Sequence, residues 1–232
     1  MKRLHSMGDH MAKDQICVKV YTYKNISDAS FAHKLIGAFH DAGLRWDNIG
    51  DKEPLREVYS DELFLRYWDD HKIIGKPKEV LSEYSNVFCS KGRGRVTLMA
   101  GWKNSNPPKY SSVELFVSRK AFLDNCDGFF KLFNQLISIL DADYACICNW
   151  NFWRNIRGTY FRKIPSYQDV HWVTFFSHAK MQMMKGLVKE LEWMAVKDLP
   201  QGTVCFMSEN APKDGDLIEE RCLEYRSFLW NI

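Results

Sequence analysis

Two short apolar segments, residues 144–150 and 172–176, flank a long passage rich in aromatic and basic residues. Short runs of apolar, β-branched and aromatic residues between polar or turn-forming residues are typical of strands that are buried on both faces. We therefore predict that these two segments form central strands of one sheet.

Further strands are predicted where apolar and polar residues alternate along the chain. These segments are residues 16–23, 96–102, 112–117 and 203–207, and residues 80–89 are expected to be extended in their second half. Gly92 to Arg95 form a turn before the strand at 96–102, and residues 104–110 form the next loop. The three segments from 80 to 117 are therefore expected to form an antiparallel meander.

Helical spacing of apolar residues predicts four helices between these strands. They cover residues 28–42, 61–68, 122–140 and 177–191, and residues 217–230 form a final amphipathic element. Ser27 and Ser60 are the expected N-caps of the first two, and Gly43 is the expected stop after the first. The elements predict one α+β domain over residues 14–232, with helices packed on a mostly antiparallel sheet. Residues 1–13 are expected to be a disordered leader or a non-native start.

The charge balance of the chain indicates no single class of partner. The sequence has 32 basic and 29 acidic residues, giving a formal net charge of +3. A dedicated nucleic-acid binding domain usually has a clear basic excess. The chain contains no apolar run long enough to cross a membrane and no apolar core of a signal peptide near Met1. We therefore expect a cytoplasmic protein that does not bind membranes.

The seven cysteines indicate buried free thiols rather than disulfides or a metal site. Their number is odd and no CxxC pair occurs. Cys146 and Cys148 share one face of a predicted strand, but their spacing is not that of a zinc knuckle. His171 and His178 are expected at a strand end and a helix start, too far apart to act together. We predict neither a metal nor a cofactor.

No catalytic fingerprint is found in the sequence, and we predict that the protein is not an enzyme. No serine lies in a GxSxG elbow, and Lys91 to Arg95 lack the context of a phosphate-binding loop. A hairpin turn with a basic tip explains that glycine-rich string, although backbone amides and arginines can also hold phosphate. The acidic pairs are more typical of solvated helix ends than of acid–base dyads.

The aromatic and basic segment at residues 150–163 leaves three interpretations open. Its rings could stack on the bases of single-stranded nucleic acid while its cations contact phosphates. Trp150, Trp153 and Arg157 could instead anchor a protein interface, because Trp and Arg are enriched at hot spots. Finally, the rings could fold back over the sheet while the basic groups face water.

Several short motifs together resemble a known family. They are residues 31–43 followed by Glu53-Pro-Leu-Arg56, the pair Tyr67-Trp68, residues 172–176, and Leu199-Pro-Gln-Gly202 before a strand. In this order they resemble bacterial immunity proteins of polymorphic and type VI secreted toxins, in particular the immunity protein fifty-two family that accompanies restriction-endonuclease-like toxins. The resemblance implies a cytoplasmic protein without chemistry of its own, which binds and neutralises a cognate toxin, expected to be a nuclease.

The leading hypothesis is therefore an immunity protein that acts by stoichiometric binding. The predicted partner-binding residues are Trp68, Asp69, Asp70, Trp150, Trp153 and Arg157. Nuclease inhibitors often present acidic faces, whereas this chain is slightly basic. Either the acid is concentrated locally, with Asp61, Glu62, Asp69 and Asp70 as candidates, or inhibition does not depend on mimicking DNA. Two alternatives are a nucleic-acid binding or modifying protein that uses residues 150–163, and an adaptor or chaperone of a secreted effector.

Overall fold

An antiparallel sheet of 11 strands forms the centre of the computed structural model. The structure describes residues 15–70, 72–74, 82–104, 110–153, 170–184, 187–211 and 217–230. The strands are β1 Gln15–Thr22, β2 Asn48–Gly50, β3 Glu57–Val58, β4 Lys72–Ile74, β5 Ser82–Lys91, β6 Val96–Asn104, β7 Ser111–Ser118, β8 Tyr144–Asn149, β9 Val173–Ser177, β10 Ala195–Leu199 and β11 Gly202–Phe206.

The order of strands across the sheet is β10-β11-β9-β8-β1-β7-β6-β5-β2-β3, and β4 also pairs with β5. The two segments predicted to be central are confirmed as β8 and β9, which pair with each other and are buried at every position. The predicted meander is confirmed as β5, β6 and β7, and residues 92–95 form the turn between its first two strands.

Six α-helices accompany the sheet in the described part of the chain. They are α1 Ala29–Asp41, α2 Asp61–Asp69, α3 Arg119–Asp124, α4 Cys126–Leu140, α5 His178–Met183 and α6 Leu217–Trp230. A 3-10 helix covers Leu187–Glu190, and residues 150–153 are also helical. The predicted α+β class, with helices packed on a mostly antiparallel sheet, is confirmed. The predicted leader at residues 1–13 lies outside the described residues.

The larger core lies between the sheet and the helices α1 and α4. Ile16, Val18 and Val20 face it from β1 and are fully buried. Phe133 and Leu136 of α4 are also fully buried there, as the spacing of apolar residues on this helix predicts. This face of the sheet therefore follows directly from the sequence pattern.

The ends of the first two helices test the predicted capping residues. The N-cap of α1 is Asp28 rather than Ser27, because the Asp28 carboxylate accepts a hydrogen bond of 2.7 Å from the Ser30 amide. Gly43 is confirmed as the stop after α1, with a φ of 72° and an amide that donates to the His40 carbonyl. Ser60 is confirmed as the N-cap of α2, where its hydroxyl accepts from the Leu63 amide.

Three other predicted boundaries are wrong. The helix predicted over residues 122–140 is broken at Asn125, whose side-chain amide instead donates to the Ala42 carbonyl at 3.1 Å. The helix predicted over residues 177–191 consists of α5 and, further on, the 3-10 helix. Residues 44–51, where the pattern predicted neither a helix nor a strand, contain β2, which is too short to show alternation. None of the helices in the described ranges is long and apolar enough to cross a membrane.

Candidate functional site

The face of the sheet opposite α1 and α4 carries a second, smaller cluster of buried side chains. Residues that alternate with the larger core along β1, β7 and β8 point to this side. We call them, with the ring that covers them, the thiol–aromatic cluster. Its members are Cys17, Tyr21, Phe116, Tyr144, Cys146, Cys148 and Trp153.

A buried ion pair lies beside the thiol–aromatic cluster. Lys19 of β1 and Glu114 of β7 are directly opposite each other in the strand register, and their side chains form an ion pair. The Lys19 ammonium is fully buried and lies 3.6 Å from the centroid of the Trp153 ring and 4.9 Å from that of Phe116. Burial lowers the pKa of Lys19, but the Glu114 carboxylate and nearby thiols more than offset this, so the pKa is raised overall. Lys19 is therefore a charged group inside the protein.

Trp150 and Trp153 cover this ion pair. They belong to the helical residues 150–153, where the Asn149 side chain accepts hydrogen bonds from the amides of Asn151 at 2.8 Å and Phe152 at 3.2 Å. The two indoles stack with centroids 5.3 Å apart, and Trp153 is only 6% exposed while Trp150 is half-buried. Of the three interpretations of this segment, the third one describes Trp150 and Trp153, because their rings fold back over the sheet. Arg157 lies outside the described residues.

His171 completes the buried polar group on this side of the sheet. Its backbone amide donates to the Thr174 hydroxyl at 2.9 Å, and its ring packs edge-on against Phe152. Neither ring nitrogen has a hydrogen-bond partner within the described residues, although the side chain is fully buried. Burial, together with the positive charges of Arg226 and Lys19, lowers the pKa of His171 to about 3, so the imidazole is neutral at pH 7.

Three chemically matched atoms meet at this position. The sulfurs of Cys146 and Cys148 and a ring nitrogen of His171 all lie within 4.8 Å of one another. Sequence reasoning placed the two cysteines on one strand face but did not bring His171 to them. The missing information was the register of β8 and β9, in which Cys146 is opposite Thr174.

The predicted partner-binding residues on α2 divide between core and surface. The Trp68 side chain is 1% exposed, stacks on Phe64, and its carbonyl accepts a hydrogen bond from the Trp102 indole at 3.0 Å. Trp68 is therefore a core residue, because its helix packs this side against the sheet. Asp69 and Asp70 are exposed at the C-terminal end of α2.

The predicted local concentration of acid is spread along α2 rather than gathered. Asp61 and Glu62 lie in the first turn of this nine-residue helix, and Asp69 and Asp70 lie at its other end. At 1.5 Å per residue the two pairs are about 12 Å apart along the helix axis. Asp61 also accepts a hydrogen bond from the Tyr59 hydroxyl at 2.9 Å.

A third surface, which sequence reasoning missed, lies at the β10 edge of the sheet. Among the strands that the structure describes, β10 pairs only with β11, and residues 195–198 are exposed. Met194 and Val196 are 45% and 55% exposed. The Met207 amide of β11 donates to the Trp172 carbonyl beside β9, so the odd-numbered residues of β11 bond β9 and the even-numbered ones face β10. Since Ala195 lies opposite Phe206 and Lys197 opposite Val204, their amides face β11, and the amides of Val196 and Asp198 point away from the sheet.

A cleft adjoins this edge. Its volume is about 360 Å³, its apolar lining comes from Met181, Val188, Leu191, Trp193, Val196 and Cys205, and its polar lining comes from Lys189, Glu192, Asp198 and Thr203. We call β10 with Met194 and this cleft the β10 surface. No sequence pattern predicted the β10 surface, because β10 has only five residues. In addition, its two charged residues are typical of solvated sheet edges.

Comparison with solved structures finds a protein of the same fold. Over 93% of this chain and 72% of the other, the structure is similar to that of the Pseudomonas aeruginosa T6SS protein PA0821, with a TM-score of 0.64. The two sequences are 12% identical over this match, so the likeness concerns the fold alone. No family model and no curated protein matches the chain in sequence. The resemblance to the immunity protein family therefore stays a prediction.

Proposed function

We propose that this protein is an immunity protein of a type VI secretion system, which binds a cognate secreted toxin in the cytoplasm and neutralises it. The observation that carries the proposal is the fold shared, over 93% of the chain, with a protein described as a T6SS protein. The motifs that resemble the immunity protein fifty-two family support the same role. The proposed toxin is a nuclease.

The β10 surface is the part of the described structure best suited to hold such a partner. Inhibition at nanomolar affinity needs about 12 kcal/mol of binding free energy, which usually comes from a few well-packed anchors. Val196 lines the cleft and Met194 directly precedes β10, and both are exposed apolar side chains that a partner can cover. The outward amides of Val196 and Asp198 offer hydrogen bonds to an added strand.

Asp69 and Asp70 remain proposed contacts of the toxin at a second surface. Both are exposed, and both carboxylates lie at a helix end where the dipole does not favour negative charge. Charges of this kind at the rim of an interface mainly accelerate association with a basic partner. They are therefore expected to matter less for the lifetime of the complex than Val196.

The experiment is co-expression with the product of the adjacent gene, scored by cell survival and by co-purification of the two proteins. The wild-type chain is expected to restore growth and to form a one-to-one complex. Val196→Lys should weaken the complex by at least about 100-fold, the loss of one hot spot. Val58→Lys is the matched control, because Val58 is 77% exposed on β3 at the opposite edge of the same sheet.

Each outcome assigns the function or the surface. Loss of protection with Val196→Lys but not with Val58→Lys supports the β10 surface. Protection lost only in an Asp69→Asn, Asp70→Asn variant moves the interface to the end of α2. A stable complex without protection favours the adaptor hypothesis, and a harmless neighbour with no complex contradicts the immunity proposal.

A further inference from the structure

Two thiols and an imidazole meet under the helical residues 150–153, and the proposed binding of a toxin does not use them. Cys146 and Cys148 are two residues apart on β8, so their side chains point to the same side of the sheet. His171 precedes β9, the neighbouring strand, and its ring reaches both sulfurs. All three side chains are at most 1% exposed.

The position of His171 is fixed before any ligand arrives. Its amide is held by the Thr174 hydroxyl at 2.9 Å, and the edge-on contact with Phe152 sets the plane of the ring at a centroid distance of 6.0 Å. Both ring nitrogens nevertheless lack hydrogen-bond partners among the described residues. A buried polar group in this state costs about 1–3 kcal/mol, and a metal ion bound at one of these nitrogens would remove that cost.

The chemistry of the three atoms selects the kind of ligand. Thiolate sulfur and neutral imidazole nitrogen are preferred by soft or borderline cations with a filled d shell. Two thiolates balance the charge of a divalent cation. With a monovalent cation they leave one negative charge, which the positive charge of the nearby Arg226 side chain offsets, since the charge of Lys19 is already balanced by Glu114.

We propose that Cys146, Cys148 and His171 bind one thiophilic d10 cation, Zn(II) or Cu(I). Sites for such ions need ligand atoms that can each come within about 2.0–2.3 Å of the metal. Atoms that already lie within 4.8 Å of one another reach this arrangement through small rotations of the three side chains. The expectation of no metal rested on the spacing of the cysteines and on the separation of His171 from His178, and it did not bring His171 to the two cysteines.

Such an ion would clamp the base of the passage that links β8 to β9. Cys148 is next to the last residue of β8 and His171 is two residues before β9, so one metal closes the chain over residues 149–170. Because the ligands are brought together only in the native state, the binding free energy adds to the stability of the fold. The proposal does not depend on the identity of the toxin.

The test uses the full chain, reduced and stripped of metal by a chelator under anaerobic conditions. Co(II), which reports on zinc sites, is titrated while sulfur-to-cobalt absorption is recorded. Cu(I) is titrated in competition with a chromophoric chelator. The expected result is one ion of Zn(II) or Cu(I) per chain and a higher melting temperature of the loaded wild-type protein.

Variants locate the ion. A Cys146→Ala, Cys148→Ala variant, and separately His171→Gln, should bind at least about 100-fold more weakly, since even changes outside the ligand set cost 10–100-fold. Cys205→Ala is the matched control, because Cys205 is a fully buried thiol of β11 outside the ligand group. It should bind metal as the wild type does.

Two results would overturn the proposal. One is a wild-type protein that takes up neither ion at one per chain and melts at the same temperature with and without metal. The other is uptake that the Cys205 variant loses to the same extent as the ligand variants. Both wild-type measurements remain informative if the ligand variants fail to fold.

Discussion

Along β1, the two faces of the central sheet are buried to the same degree by different chemistry. On β1, Ile16, Val18 and Val20 enter a core of aliphatic and aromatic side chains, whereas Cys17 and Lys19 enter a region of thiols, rings and a charge pair. All eight residues of the strand are buried. Alternation in a sequence therefore locates a strand, but it does not reveal whether the more polar face is exposed to solvent or buried.

The largest expected effect concerns the ion pair. Glu114→Ala leaves the Lys19 ammonium buried without its counter-ion and should lower the free energy of unfolding by about 4 kcal/mol. Urea denaturation of purified protein measures this change. Removal of one partner of an exposed ion pair changes the free energy of unfolding by less than about 1 kcal/mol.

A double variant separates the charge from the space that it occupies. Lys19→Met, Glu114→Met fills a similar volume without charge, and its stability should return to within about 1–2 kcal/mol of the wild type. A double variant as unstable as Glu114→Ala would mean that packing, rather than the unpaired charge, causes the loss.

A substitution on the apolar face should cause a smaller loss of stability, and for a different physical reason. Leu136 of α4 is fully buried in the larger core, and Leu136→Ala should cost about 3 kcal/mol through lost transfer free energy and a residual cavity. For Leu136→Ala, in contrast to Glu114→Ala, no second substitution of a charged partner should restore the lost stability. A loss below about 1 kcal/mol would show that this face collapses to fill the space.

The sequence predicted the elements of the apolar face well because each signal there is local. The stripe on α4 and the cap at Ser60 depend on residues within a few positions of each other. Trp68 was predicted to bind the partner, and its side chain is instead buried, since its helix stripe was visible in the sequence but the sheet that covers it was not. The break at Asn125 was missed because it depends on a hydrogen bond to Ala42, far away in sequence.

The polar face and the β10 surface could not be predicted because they depend on strand register and order. Lys19 and Glu114 are 95 residues apart and meet only once β1 pairs with β7. His171 reaches Cys146 only through the pairing of β8 with β9. The exposure of Val196 follows from the position of β10 at the end of the sheet, which no residue near it specifies.

The stability of the protein at alkaline pH tests the burial of Cys205 in the apolar core. Burial, with a smaller effect of Asp198, raises the pKa of this thiol from 9.0 to about 12. Above pH 9 the unfolded chain releases a proton that the folded chain keeps, so stability should fall with rising pH by up to about 1.4 kcal/mol per pH unit for this thiol. Cys205→Ala should reduce the slope of unfolding free energy against pH between 9 and 11.

Cys126 provides the control for this slope. It lies half-buried at the start of α4, where burial raises its pKa as well but the thiol remains partly in contact with solvent. Cys126→Ala should therefore change the alkaline slope less than Cys205→Ala does. Equal slopes in the two variants would contradict the assignment of the effect to burial.

The smallest expected difference tests the contact between the Lys19 ammonium and the ring of Phe116, at 4.9 Å. Phe116→Leu and Phe175→Leu each replace a buried ring by a smaller side chain, one on each face of the sheet. Phe116→Leu should cost about 1 kcal/mol more, because it also removes a cation–π interaction in a desolvated site. Phe116 packs edge-on against Trp150 as well, so the comparison is repeated in the Lys19→Met, Glu114→Met background. There the extra cost should disappear, whereas an extra cost that persists without the ammonium would assign it to the Trp150 contact.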